Sequence, residues 1–369
     1  MQKIAPPHTS LEPSRPPSRL AGLDGIRAIA ACLVVLYHAG IETAPASLGV
    51  LAFFVLSGFL ITWLLIQEEE TSGGISLKNF YIRRSFRIFP AYYAYILILV
   101  VLLFLARKPL PPSGQLISCL FYVNNYYQAI VGDPNTGLSH TWSLAIEEQF
   151  YLLWPMLFIA LRSNHRRLRF LSVLIPLLWC YRLALVLIAG VHQGYIYEAF
   201  DTRADHILAG CWLAVAMKSC VLPKTVAALQ RRPVFWIILA LLTLDVALQN
   251  TVQFDYRDIV AFIAEPILVV ALIVHLLENG QSLPGLVLNS AVVRYIGGIS
   301  YSIYLYQQLV MHPLVHYLAG VPLAVRLIAI FVVVFGLASV SFFLIERPFL
   351  RIRLAIEKRM AARRVTASD

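Results

Sequence analysis

A chain of 369 residues with 59% hydrophobic and 14% charged side chains and a mean hydropathy of +0.73 lies far from the soluble globular norm and reads as an integral membrane protein. A formal net charge of +10 would suit nucleic acid, but the thirty Lys and Arg are distributed as a membrane-topology signal, and no nucleic-acid partner is expected. Residues 1–19 hold five prolines and little apolar content, the pattern of a disordered tail. From Leu20 onward, apolar runs recur near 22–41, 47–66, 88–106, 140–161, 170–190, 204–217, 234–250, 258–277, 292–311 and 322–345. Runs of this kind suit a hydrocarbon layer of about 30 Å, so the expected fold is all-α and polytopic, with about ten transmembrane helices. The 204–217 run is the shortest.

The first run is not a cleavable signal, because it carries Arg27 and no small-residue cleavage site follows. Basic residues cluster at 78–87, 162–169, 218–232 and 347–364, whereas the expected outward loops hold only Arg107, Lys108, Arg203 and Arg257. That bias assigns both termini to the cytoplasm, and the expected location is the cell's inner (plasma) membrane. The organisation is then a tail at 1–19, one transmembrane domain at 20–350 and a basic cytoplasmic tail at 351–369. The longest extramembrane stretch, about 107–139, holds KPLPPSG and an apolar piece around Leu116–Val123 that reads as a re-entrant or interfacial helix. Five cysteines show no paired spacing, so neither a disulfide nor a metal site is expected.

Arg27 and His38 are costly inside an apolar helix, and at eleven residues apart they share a face about 16 Å apart. Any partner touching both is long. An anionic head held by arginine, with an extended arm presenting its reactive end to histidine, describes a coenzyme A thioester. The plain alternative is an Arg27 that snorkels to lipid phosphates and a His38 at a tyrosine-flanked helix end. In YIRRSFRIFPAYY, Arg84 and Arg87 lie three apart on one helical face, and arginine forks suit phosphate oxygens. Plain positive-inside charge explains them too, along with Arg83.

In SHTWSLAIEEQFYLLWP, His140, Glu147 and Tyr151 form one polar stripe, and Glu148 points about 100° away. Glu147 then lies about 10 Å below His140, a depth that His38 also reaches, so the carboxylate and the imidazole are expected to meet in the outer half of the bundle. A buried Glu147 paired with an arginine for packing is the alternative. Asp245 and Glu265 also fall in spans, with Arg182 as a candidate partner. The ninth span carries Ser300, Ser302, Tyr304, Gln307 and Gln308 and is expected to line the same cavity. No GxSxG, HExxH, Walker loop or strand-linked GxGxxG is present, which removes most soluble-enzyme chemistries, and polar residues inside a ten-span bundle would equally describe a transporter.

These residues resemble acyltransferase family 3, the membrane acyltransferases of surface glycans and of some hydroxylated metabolites. Arg27 and His38 match its basic-x10-His motif, GVLAFFVLSGFLIT its Gly- and Phe-rich second span, and Arg84 with Arg87 its RxxR motif. TWSLAIEEQFYLLWP is similar to its WSLxxE signature, with Glu147 as the family glutamate; GGISYSIYLYQQ resembles SYSxYLxH, and IERPF the closing motif. Leu51 stands where many members have Asp, and Gln307 where many have His, so His38 carries more of the case than a histidine at 307.

The resemblance implies transfer of an acyl group, most often acetyl, from cytoplasmic acyl-CoA to a hydroxyl of a cell-surface or lipid-linked glycan, with no tightly bound cofactor. Arg84, Arg87 and Arg27 would hold the donor's phosphates. His38 would act as general base or acyl carrier, oriented by Glu147. His140, Tyr151, Tyr304 and Gln307 are substrate-cavity candidates. Because the chain ends shortly after its tenth run, the bundle itself is expected to bind the acceptor. A diffusible acceptor such as a macrolide, or a non-enzymatic glycan transporter, remains the alternative.

Overall fold

A computed structural model describes residues 22–221, 223–252 and 256–365, the side chains of 358–365 excepted. The expected tail at 1–19 lies outside these residues. Seventeen helices occur among the described residues, in the order α1 (Leu23–His38), α2 (Ala46–Ser72), α3 (Leu77–Leu105), α4 (Ser113–Leu120), α5 (Asn124–Val131), α6 (Thr141–Ala160), α7 (Asn164–Leu187), α8 (Gln193–Glu198) and α9 (Phe200–Lys218). There follow α10 (Pro223–Leu229), α11 (Arg232–Thr251), α12 (Phe262–Glu278), α13 (Leu283–Leu288), α14 (Ala291–Gly298), α15 (Ser300–Tyr317), α16 (Leu323–Ser341) and α17 (Arg347–Val365). Two π-helical turns, Arg257–Ala261 and Phe342–Glu346, lead into α12 and α17. No strand occurs among the described residues, in keeping with the all-α expectation.

Helices occupy all ten segments expected to span. Length and apolar composition qualify only six stretches to cross a membrane: Ala46–Ser72, Leu77–Leu105, Asn164–Leu187, Arg232–Thr251, Arg257–Glu278 and Leu323–Glu357. A seventh is added if the pair Gln193–Lys218 and Pro223–Leu229, bent by 111°, counts as one span. The shortfall against ten has physical causes. The first helix has only 16 residues, the ninth run is broken at Ile299 between α14 and α15, and α6 and α9 carry charge where lipid-facing helices carry none. The piece near Leu116–Val123 becomes two short helices, α4 and α5, whose Gln115, Asn124, Asn125 and Gln128 are buried.

The most enclosed of the six is α2, which packs along α9 and against α1. The contact with α9 is backbone on backbone. A Cβ on Gly58 would sit 1.9 Å from the Ile207 carbonyl oxygen, and one on Gly210 would sit 1.9 Å from that of Val55. Small residues that let helix backbones touch are the usual device of membrane bundles, where water supplies no hydrophobic drive between helices.

Charges inside the bundle pair differently from the expected pattern. Arg182 joins Asp205 at 3.0 Å and donates to the Phe262 carbonyl at 3.1 Å, tying α7 to α9 and α12. Asp245 and Glu265 are bridged instead by the Gln249 amide, at 2.7 and 2.9 Å. Arg203, read from the sequence as a loop residue, lies fully buried in α9. Arg257 likewise begins a helical stretch, on a π-helical turn.

Candidate active site

Three cavities follow one another through the bundle, each sharing wall residues with the next. The first, about 210 Å³, is lined by Arg27, Arg84, Arg87, Glu147, Glu148 and Tyr151, so three guanidinium groups face two carboxylates. The second is a neck of about 40 Å³. It shares Arg27, Ser57, Leu144, Glu147 and Tyr301 with the basic cavity and adds Ser143 and Tyr304. Beyond it, sharing Val50 and Tyr304 with the neck, opens a cavity of about 750 Å³. Its walls hold Glu42, Asp133, Glu198, Asp258 and Glu265 against a single arginine, Arg257, together with His38 and His140.

In the basic cavity, α3 places Arg84 and Arg87 one turn apart. The Arg84 guanidinium lies over the Tyr151 ring at 4.9 Å, which holds its flat face and leaves its N–H edge to the cavity. Neither arginine makes a hydrogen bond or an ion pair among the described residues. Arg27 enters from α1 with its Nε buried and without a partner. A guanidinium carries five donors and no acceptor, so three of them around one void make a site for an anion with many oxygens.

Glu147 is fixed from two sides. Ser57 Oγ donates to Oε1 at 2.7 Å and the Tyr151 hydroxyl to Oε2 at 3.2 Å. In the neck, the Tyr304 hydroxyl donates to the His140 carbonyl at 3.0 Å and lies 2.5 Å from Ser143 Oγ. The Phe53 ring meets that of Tyr304 edge-on at 6.2 Å.

His38, half-buried at the last turn of α1, lines the acidic cavity. Its Nδ1 lies 2.8 Å from the Val34 carbonyl oxygen. A carbonyl only accepts, so in the neutral ring Nδ1 carries the proton and Nε2 keeps a lone pair, the arrangement a general base needs. His140 lines the same cavity with both ring nitrogens buried and unpartnered.

Several expected placements change. Glu147 and His38 share the bundle but no cavity and no hydrogen bond, because the Tyr304–Ser143 neck stands between the basic void and the acidic one. Tyr151 stays with Glu147, as the stripe predicts, whereas His140 at the head of the stripe reaches the acidic cavity. Glu148 is not turned away: it lines the basic cavity beside Arg84, with Oε1 buried and unpartnered. Gln307 is fully buried, donates to the Tyr304 carbonyl at 3.3 Å and lines none of the three cavities, while its neighbour Gln308 lines the acidic one.

Sequence reasoning missed Ser57, Ser143 and Arg203. The last has none of its three guanidinium nitrogens hydrogen-bonded and sits 3.9 Å from the Phe262 ring centroid and 5.0 Å from that of Tyr197. The run RADH inside the weakest apolar segment was the available signal. No group of three or more His, Cys, Asp or Glu suited to a metal ion occurs among the described residues.

The family model described as an acyltransferase domain matches residues 20–345. The chain belongs to acyltransferase family 3. It is 30% identical over 349 residues to the peptidoglycan O-acetyltransferase OatA of Listeria monocytogenes, covering 88% of this chain and 55% of that one. Identity is 31% over 350 residues with the putative peptidoglycan O-acetyltransferase YrhL of Bacillus subtilis, covering 89% and 54%. It is 32% over 368 residues with the O-acetyltransferase OatA of Staphylococcus aureus, covering 92% and 58%. The chain thus spans little more than half the length of these relatives. No solved structure matches. Within the family domain lie the basic cavity, the neck and the acidic cavity, all formed by residues between 27 and 308.

Proposed function

We propose that this chain is a membrane O-acetyltransferase that takes an acetyl group from cytoplasmic acetyl-CoA and transfers it to a hydroxyl of a peptidoglycan-type glycan at the outer face of the plasma membrane. The observation that carries this reading is the change of charge along the connected cavities. Three unpaired arginines line one end, five carboxylates and a base-competent histidine line the other, and a narrow, largely apolar neck lies between them. The basic end suits a polyanionic donor and repels a polycation; the acidic end suits a hydroxyl-rich, uncharged or cationic acceptor. On α1, Arg27 and His38 are eleven residues and about 16 Å apart, a span for an extended arm rather than for a compact substrate.

In this mechanism Arg84 and Arg87, with Arg27, grip the donor's phosphates, and the arm runs past Glu147 and Ser57 into the neck. Glu147 serves there as a fixed acceptor for an N–H of the arm. The acceptor hydroxyl loses its proton to His38 Nε2 as its oxygen attacks the thioester carbonyl. The tetrahedral intermediate then expels the thiolate, which takes up the proton from the imidazolium and leaves as the free thiol. The clustering of basic residues at 78–87, 162–169, 218–232 and 347–364 supports a cytoplasmic setting for Arg84 and Arg87, on the donor's side.

The reading is tested with purified protein in lipid nanodiscs, acetyl-CoA and membrane glycan extract. Thiol release that depends on the glycan, with a mass gain of one acetyl group on the glycan, is the expected result. Glycan movement across the bilayer without thioester consumption would replace the enzyme by a transporter.

A further inference from the structure

On the far side of α1 from the catalytic cavities lies an apolar cleft of about 710 Å³, which neither the donor nor the saccharide chemistry uses. It arises because α11 packs against α12 and the π-helical turn before it, leaving a gap towards α1 and α2. The walls include Ile26, Leu33, Leu48, Leu242, Val269 and Leu288. Apart from the Trp236 indole N–H, Thr243 brings the polar group of the lining, and its hydroxyl is turned back to the Leu239 carbonyl of its own helix at 2.8 Å. The first helix is therefore a partition: Ile26, Ile29 and Leu33 face the cleft, while Arg27, Val34 and His38 face the polar cavities. The two sides join at one place. Pro45, Leu48 and Val246 line both the cleft and the acidic cavity.

We infer that the cleft holds the hydrocarbon chain of the acceptor, so that the acceptor is a glycolipid whose sugar enters the acidic cavity at Pro45, Leu48 and Val246 while its chain lies between α1, α2, α11 and α12. The inference rests on the acceptor reading above. An apolar trough running into a carboxylate-lined chamber matches a molecule with the same two halves. Charge complementarity selects among lipids. A phospholipid with its chain in the cleft would bring its phosphate into a chamber lined by five carboxylates and one arginine, whereas sugar hydroxyls donate hydrogen bonds to carboxylates. Glu265 is 1% exposed and its Oε2 has no partner, so it offers an acceptor site into this chamber.

The test places a photo-crosslinking residue at Leu239, which lines the cleft and is 45% exposed, and as a control at Val332, 66% exposed on α16. Nanodiscs carry phospholipid and either an N-acetylhexosamine disaccharide on one long hydrocarbon chain or the matching long-chain alcohol without sugar. Capture of the glycolipid at Leu239 should exceed that of the alcohol by about tenfold, the ratio that head-group recognition of ~1.4 kcal/mol gives, with no preference at Val332. Equal capture of the two at Leu239 would overturn the inference and make the cleft a seat for bulk lipid. In parallel, Thr243→Trp, which fills the cleft, should lower acetyl transfer to the glycolipid while sparing transfer to the lipid-free disaccharide. Equal loss on both acceptors would also overturn it. A protein that acetylates neither acceptor refutes the transferase reading, and the crosslinking result then decides the cleft by itself.

Discussion

Replacing Arg84 and Arg87 together with lysine separates donor binding from membrane topology, because lysine keeps the charge but not the fork. Both guanidinium groups face the basic cavity without a hydrogen bond or ion pair, so their donors are free for phosphate oxygens. A hydrogen bond to a charged group contributes about 1.5–3 kcal/mol, and each lysine forfeits one of two parallel bonds. Arg87 is exposed and its share is halved for solvent screening, which at the lower end of that range leaves about 2 kcal/mol for the pair. The apparent KM for acetyl-CoA should therefore rise about 30-fold, at the usual tenfold per 1.4 kcal/mol. Turnover at saturation and the KM for glycan should change little, since binding common to ground and transition states appears in KM. The assay is thiol release against donor concentration, run beside a short acetyl thioester that lacks phosphate. Wild type and variant should use that truncated donor equally poorly. An unchanged KM for acetyl-CoA in a variant with normal reporter-fusion topology would refute the phosphate assignment and return these arginines to a topological role.

His38→Ala should lower turnover by a factor of about 10² to 10⁴ without raising the donor KM, because His38 lines the acidic cavity and not the basic one; wild-type turnover in well-folded protein would exclude it as the base. Glu147→Gln should cost more activity than Glu148→Gln, since Glu147 lines both the basic cavity and the neck and is held by Ser57 and Tyr151; equal losses, measured by single-turnover transfer, would make the two carboxylates interchangeable. Asp205→Ala leaves Arg182 charged and buried without its partner, which typically costs about 3–5 kcal/mol, so folded yield and melting temperature should fall whatever the substrate; a wild-type melting temperature would show that the Thr202 and Phe262 carbonyls suffice for the guanidinium.

The parts of this site that rest on spacing within one helix were readable from the chain. Arg27 and His38 on α1, Arg84 and Arg87 on α3, and Glu147 with Tyr151 on α6 follow from 3.6-residue periodicity, and the structure keeps each pair on common cavity walls or along one face. What failed depended on partners from other helices. The depth estimate that brought Glu147 to His38 took no account of Tyr304 and Ser143, which come from α15 and α6 to form the neck. Glu148 was set aside on a 100° turn, yet a cavity of about 210 Å³ is wide enough to take both neighbours. Gln307 and Gln308, named together in the ninth span, part in the structure, with Gln308 on the wall of the acidic cavity and Gln307 buried against Tyr304, because adjacent residues differ by that same turn and only the packing of α15 fixes which one faces the void. Arg203 was misplaced because the expected run began at 204, one residue beyond it, whereas α9 begins at Phe200 and the bundle encloses the side chain among Phe54, Trp142, Tyr197 and Phe262.

Under the reaction proposed above, the separation of Glu147 from His38 bears on how the donor's thioester is kept from water. If base and carboxylate shared one open chamber, water in the acidic cavity would meet the activated carbonyl as readily as a sugar hydroxyl does. A neck of about 40 Å³ between them, with Phe53 and Tyr304 in its wall, is far too small to hold a saccharide. The thioester then becomes attackable only where the arm emerges beside His38, and an acceptor filling that mouth excludes solvent at the same moment. Glu147 and Ser57 act earlier along the path, on an arm already gripped at its phosphates. Such an order predicts that loss of the arginines weakens donor binding, loss of Glu147 slows delivery of the thioester, and loss of His38 stops the chemistry. These three defects are separable by donor KM, single-turnover rate and dependence on acceptor concentration.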